Sequence, residues 1–223
     1  MCFGTGALEL DITPDGSQVI VTSFDNAITF ISTATNTVTG VLRAPGNVNP
    51  SGIVISPDGA TAYVTSFNIE NPGLVVVDVA RRAIVQTIPT TSYPQSVFMS
   101  PDGALAWVTF PFQNSIYLVD TLTNTVTRNL SVQSPFGVAF NSTGTRAYIT
   151  NGNTPGTLQV MDTATYKTIR TVPVGNMPVD ILVAPDDAFL LVTNYLGNSI
   201  SVIDLGFACR CRLNAQLLRW FAA

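Results

Sequence analysis

Carboxylates, hydroxyls and amides are the reactive groups this chain offers: its 223 residues include fourteen Asp and Glu, three cysteines and no histidine. Without imidazole it lacks the usual neutral-pH general base, the activator of a serine nucleophile and the commonest metal ligand. Acid–base chemistry would then need paired carboxylates, one of them kept protonated by its surroundings. Asp25, Glu70 and Asp180 are the acids in irregular segments, and they come from well-separated parts of the chain. Cys209 and Cys211 form a lone Cys-x-Cys, too few ligands for a structural zinc site. What remains is contact chemistry. Phe24, Phe67, Phe112 and Tyr195, with the polar Asn151 and Asp180, have the types that hold a peptide, a glycan or a small apolar ligand, because flat rings give contact area at little entropic cost. We read these six as candidate ligand-binding residues. No residue is assigned a catalytic or metal-ligating role, and no cofactor is expected.

Whether such residues meet depends on the elements that carry them, and those elements repeat. Thr13-Pro14-Asp15-Gly16, Ser56-Pro57-Asp58-Gly59, Ser100-Pro101-Asp102-Gly103, Asn141-Ser142-Thr143-Gly144 and Ala184-Pro185-Asp186-Asp187 recur at intervals of 43, 44, 41 and 43 residues. In such a turn proline presets φ, aspartate bonds its own backbone and glycine supplies a positive φ. The aspartates Asp15, Asp58 and Asp102 are therefore read as turn residues and not as a calcium site. A strand-like run follows each turn, as in Ala62-Tyr63-Val64-Thr65 and Ala147-Tyr148-Ile149-Thr150. A polar loop and a third strand come next, closed by Asp78, Asp120, Asp162 and Asp204, each 42 residues from the last. A Thr-rich turn leads to a fourth strand, and Pro50, Pro94, Pro135 and Pro178 mark the return.

Four strands in about 43 residues, with no stretch of helical period, predict an all-β fold: a β-propeller of about five four-stranded antiparallel blades, labelled A to D from the axis outwards. The expected blades are 8–50, 51–94, 95–135, 136–178 and 179–204, with tails at 1–7 and 205–223. Only 11% of residues are charged, as expected if blades bury both faces against neighbours. The B–C and D–A loops must emerge on one face of such a fold, the A–B and C–D turns on the other. All six candidate binding residues fall on the B–C and D–A side. Phe24, Phe67 and Tyr195 hold equivalent places in the repeat, so packing against an adjacent blade accounts for them as readily as a ligand does.

The runs Tyr63-Val64-Thr65-Ser66, Tyr148-Ile149-Thr150-Asn151 and Leu191-Val192-Thr193-Asn194, with Pro-Asp-Gly before and Val-Ile-Asp after, resemble the YVTN-type β-propeller repeat family. The resemblance implies a surface-layer-like or exported bacterial or archaeal propeller, often sevenfold, so that these blades form either a small ring or part of a larger one. It places the protein extracellularly, in a periplasm or at a cell surface, although Met1-Cys2-Phe3-Gly4 shows neither the basic nor the apolar region of a secretory signal. The fifth repeat departs from the pattern. After Asp204 comes Leu205-Gly206-Phe207-Ala208-Cys209-Arg210-Cys211-Arg212, without a recognisable strand D, and 213–221 has the pattern of a short amphipathic helix. Cys2 can bridge to Cys209 or Cys211 if the chain ends meet in an oxidising compartment; free thiols in the tails are the simpler arrangement.

Net charge is −4, with one lysine and nine scattered arginines, which offers no basic stripe for a nucleic acid. No apolar run approaches the ~18 residues of a membrane span. These readings converge on a non-enzymatic binding or scaffold propeller whose loop face takes a protein or glycan partner, and whose terminal blades self-associate if the arc stays open. The alternatives are a propeller enzyme similar to lactonases or quinoprotein dehydrogenases, and a truncated fragment without activity of its own.

Overall fold

The computed structural model describes residues 6–43, 48–68 and 70–206. They form nineteen strands in five antiparallel sheets. The first sheet contains β1 (Ala7–Ile12), β2 (Gln18–Ser23), β3 (Ala27–Ser32) and β4 (Thr37–Arg43) in that spatial order. The second contains β5 (Pro50–Ile55), β6 (Thr61–Ser66), β7 (Gly73–Asp78) and β8 (Ala83–Pro89). The third contains β9 (Ser96–Met99), β10 (Leu105–Phe110), β11 (Ser115–Asp120) and β12 (Thr125–Ser131). The fourth contains β13 (Pro135–Phe140), β14 (Arg146–Asn151), β15 (Thr157–Asp162) and β16 (Thr168–Pro173). The fifth has three strands among the described residues, β17 (Pro178–Val183), β18 (Phe189–Asn194) and β19 (Ser199–Asp204). The expected bridge of Cys2 to Cys209 or Cys211, and the helix expected over 213–221, lie outside the described residues.

Each hairpin closes by the chemistry its turn residues supply. Gly16, Gly59, Gly103 and Gly144 have φ of 70°, 73°, 72° and 68°, and Asp187 takes the same left-handed conformation at 55° in the fifth repeat. Asp58 Oδ1 accepts from Ser56 Oγ (2.5 Å) and from the Ala60 N–H (2.9 Å), and Asp102 repeats this with Ser100 Oγ (2.6 Å) and the Ala104 N–H (3.0 Å). At the other turn, Asp120 Oδ1 accepts from the Thr123 N–H (2.8 Å) and hydroxyl (2.9 Å), and Asp162 does the same with Thr165 at 2.9 Å each. The recurring acids are thus spent on their own turns, as the repeat pattern predicts.

The chain divides into two compact units, Met1–Pro135 and Phe136–Ala223. In the first, apolar residues of successive sheets interlock. Ile20, Ile28 and Phe30 of the first sheet cluster with Ile53, Ile55, Val75 and Val77 of the second. Tyr63, Leu74 and Val76 of the second cluster with Val97 and Val108 of the third. A bulge recurs where the third and fourth strands pair, between Phe30 and Ile31, Val76 and Val77, and Leu118 and Val119. Its effect shows in β8, where Ile84 packs against the cluster on one side of the sheet and Ile88 joins the cluster on the other. The innermost strands approach closely: a Cβ at Gly52 would lie 2.8 Å from Ser96 Cα, so only glycine fits there. In the second unit, Tyr148, Leu158 and Val172 of the fourth sheet pack with Ile181, Leu190, Val192 and Ile203 of the fifth.

Candidate functional site

Three loops of the first unit bring aromatic rings together. Phe67 directly follows β6, Tyr93 lies on the return from β8 to β9, and Phe112 sits in a short 3-10 turn, Pro111–Gln113, after β10. Phe67 and Tyr93 have ring centroids 4.6 Å apart at 58°, and Tyr93 and Phe112 6.0 Å apart at 63°. These tilted and edge-on geometries are the ones aromatic quadrupoles favour. Phe112 is 73% exposed and Phe67 38%, so the trio is a shelf open to solvent.

The local sequence explains why the shelf is here. The last residue of the second strand is Ser23, Ser66, Asn151 or Asn194 in four of the sheets, and each hydrogen-bonds into the hairpin it opens, Ser66 also to the return before its blade. Ser66 Oγ, for example, donates to the carbonyls of Val48 (2.6 Å) and Asn71 (3.2 Å), and Asn194 Nδ2 donates to Ser199 Oγ (3.2 Å) and Ser201 Oγ (3.0 Å). In the third sheet that place belongs to Phe110, whose ring packs 4.5 Å from Tyr117. Pro111 then starts the 3-10 turn, Asn114 ends it at φ 51°, and the Ser134 N–H donates to Asn114 Oδ1 (2.8 Å). Behind the shelf, Tyr117 Oη and Thr91 Oγ1 are 3.0 Å apart. Beside Phe67, Asn68 is buried and its Oδ1 accepts from the Glu70 N–H (2.8 Å).

Of the residues read from sequence, Phe67 and Phe112 therefore meet, joined by Tyr93. Phe24 stands on a different loop, exposed, with Gly6 against its ring. Its neighbour Asp25 accepts from Ser23 Oγ (2.5 Å) and faces Arg43 at 3.9 Å. Asn151, Asp180 and Tyr195 belong to the second unit. There Asn151 is buried, its Nδ2 donating to Thr157 Oγ1 (3.2 Å), while Asp180 is exposed and accepts from the Ile181 N–H (2.8 Å). Tyr195 is exposed, its N–H donating to the Met177 carbonyl (2.8 Å).

The ionisable groups are set for structure. Hydrogen bonds from Ser56 and the Ala60 N–H hold Asp58 below the usual carboxylate range, and those from Ser100 and the Ala104 N–H do the same for Asp102. A general acid at neutral pH requires the opposite shift. Burial, with the charges of Asp120 and Asp58, pushes Tyr63 up to about 12. Among the described residues no group of three or more His, Cys, Asp or Glu could hold a metal ion, and no helix is long and apolar enough to cross a membrane.

Two grooves accompany the shelf. On the turn side of the first unit, one of about 460 Å³ is lined by Thr13, Asp15, Gln18, Asp58 and Val79, its two acids already bonded within their turns. In the second unit, one of about 190 Å³ lies among Tyr148, Val160, Arg170, Leu190 and Ile203, beside the outer edge of β19. Neither has a signal in the sequence, because each is lined by residues that read as ordinary strand or turn positions.

No family model matches the chain, and no curated protein does. Solved structures do match. Hydrazine synthase of Kuenenia stuttgartiensis superposes with a TM-score of 0.80 at 22% identity, covering 94% of this chain and 68% of that one. A functionally unknown protein from Desulfotomaculum acetoxidans gives 0.79 at 19% identity, covering 95% and 70%. The Cps50 (Swd1) β-propeller domain of Myceliophthora thermophila gives 0.75 at 13% identity, covering 91% and 67%. The fold is a β-propeller. The five sheets are its blades, and at these identities the likeness is one of fold alone. In the propeller's first unit, the aromatic shelf joins the B–C loops of blades 2 and 3 through the return between them.

Proposed function

We propose that the protein is a non-catalytic binding propeller, and that the Phe67–Tyr93–Phe112 shelf receives a protein or glycan partner. The convergence of three rings from three loops carries this reading, since exposed apolar rings are retained where something covers them. Amides and hydroxyls around the rings suit a partner that is itself hydrogen-bonding. Catalysis finds less support: the chain has no histidine, and the acids with shifted ionisation are those of the turns. Placement outside the cytoplasm belongs to the same proposal and rests on the repeat resemblance and the single lysine.

The test is a screen of an oligosaccharide array and a displayed peptide library against the wild type and Phe112→Ala, which is exposed enough to leave folding intact. Ligands of the shelf should bind Phe112→Ala at least about tenfold more weakly, a loss of about 1.4 kcal/mol. Hits that are indifferent to Phe112→Ala and Tyr93→Ala but lost in a turn-side variant such as Ala80→Arg, at an exposed residue of the groove of about 460 Å³, would refute the assignment.

A further inference from the structure

The repeat provides an internal standard for what each position buries, and two faces fail it. In the A strands, Ile53, Val97, Val138 and Ile181 are 5%, 2%, 3% and 9% exposed, whereas Leu10, their counterpart in blade 1, is 65% exposed. Ile53 and Val97 each cluster with the blade before them, so this position faces backwards along the chain of blades. Ile12 is likewise 50% exposed where Ile55 is 6%. The opposite side of the repeat behaves the same way at the other end. Ile28, Leu74, Ile116 and Leu158 are all 0% exposed, and Ile28, Leu74 and Leu158 cluster with residues of the blade that follows, but Ile200, their counterpart in blade 5, is 54% exposed. Leu182, on the first strand of the same blade, is 59% exposed.

The polar pattern agrees. Thr22, Thr65, Thr109 and Thr150 are fully buried, and Thr22 Oγ1 donates forwards to the Ser51 carbonyl of blade 2 at 2.5 Å, with Thr65 Oγ1 3.5 Å from the Gln95 carbonyl of blade 3. Thr193 holds the same place in blade 5 and is exposed. The residue in the place of Ser51 and Gln95 in blade 1 is Leu8.

We propose that the chain associates head to tail with a second copy of itself, the forward face of blade 5 (Leu182, Thr193, Ile200) docking on the backward face of blade 1 (Leu8, Leu10, Ile12). The occupant follows from the faces: each is one half of the blade–blade seam that the chain builds internally, and a second copy supplies the other half in the matching chemistry. Such a contact is heterologous, so every open assembly, a filament included, keeps one free face of each kind until a ring closes. In it, Thr193 Oγ1 donates to the Leu8 carbonyl of the second copy.

The experiment is light-scattering mass over a concentration series. Wild type should show species of two chains or more that grow with concentration. Leu10→Asp and Ile200→Asp, each at an exposed site and checked for native circular dichroism, should be monomers on their own. An equimolar mixture of the two should yield a two-chain species and nothing larger, because each variant keeps the face the other lacks. Leu122→Asp, at a residue 93% exposed on a turn, should behave as wild type. A monomeric wild type at every concentration, a single variant that still self-associates, or a mixture that stays monomeric would each overturn the proposal.

Discussion

Replacing Tyr63 by phenylalanine should weaken the propeller at neutral pH and leave it unchanged relative to wild type in alkali. The Tyr63 ring is buried between blades 2 and 3, and its hydroxyl donates to Asn124 Oδ1 (2.9 Å), with the Thr121 carbonyl at 3.3 Å. Removing one such hydrogen bond at a turn that water can reach costs about 1 kcal/mol. Ionisation gives the second part. Burial and the nearby charges of Asp120 and Asp58 raise the phenol to about 12 in the folded protein, against about 10 when unfolded. A group raised in this way stabilises fully below its unfolded pKa, and that contribution disappears as pH climbs from about 10 towards 12. At about pH 11 half of the interval has been crossed, which removes about 1 kcal/mol once solvent screening is allowed for. Tyr63→Phe has no phenol to ionise there. Urea denaturation at about pH 8 and about pH 11 should therefore find a gap of about 1 kcal/mol between the two proteins at the lower pH and almost none at the higher. A gap that persists unchanged at the higher pH would show that Tyr63 ionises freely in the folded state and refute the reasoning.

The repeat makes two further comparisons sharp. Leu74→Ala removes a fully buried side chain from the seam between blades 2 and 3 and should cost about 3 kcal/mol in urea denaturation, while Ile200→Ala at the equivalent place in blade 5 should cost less than about 1 kcal/mol in dilute solution. Asp58→Ala opens a turn whose carboxylate is held below its ordinary range, so stability present above about pH 4 and lost as pH falls through the folded value should shrink in the variant. Its cost at neutral pH, measured in the same way, should be about 0.5–1 kcal/mol after allowance for solvent exposure.

Strands and turns were legible because they depend on local chemistry that recurs. Pro-Asp-Gly turns, Thr-rich turns and alternating apolar runs state their conformation within a few residues, and five copies remove the ambiguity of any one. The three strands of the fifth blade up to Asp204 were legible by the same signals, and the stretch expected to lack a fourth lies outside the described residues from 207 onwards. The site was legible only in part. Phe67 and Phe112 stand out as aromatics in loops, but their meeting depends on Tyr93, whose ring on the return from β8 lies against both. Nothing in the residue types gives that distance. Leu10 and Ile200 show a second limit. Their types match their buried counterparts, so exposure at these two positions is a property of their place in the array and leaves no mark in the sequence.

The threonine of each second strand bears on how such a chain changes length over evolutionary time. Thr22 makes its forward bond to the Ser51 main chain, and a main-chain carbonyl is present whatever side chain stands there. This bond, unlike that of Tyr63 to Asn124, asks for no matched side chain on the other side of the seam. As far as this bond is concerned, a tract of about 43 residues can be duplicated or deleted in one genetic event and find an acceptor in its new neighbour without a second compensating change. Copy number is then free to drift, and the loops that vary from blade to blade are free to diverge once a duplicate exists.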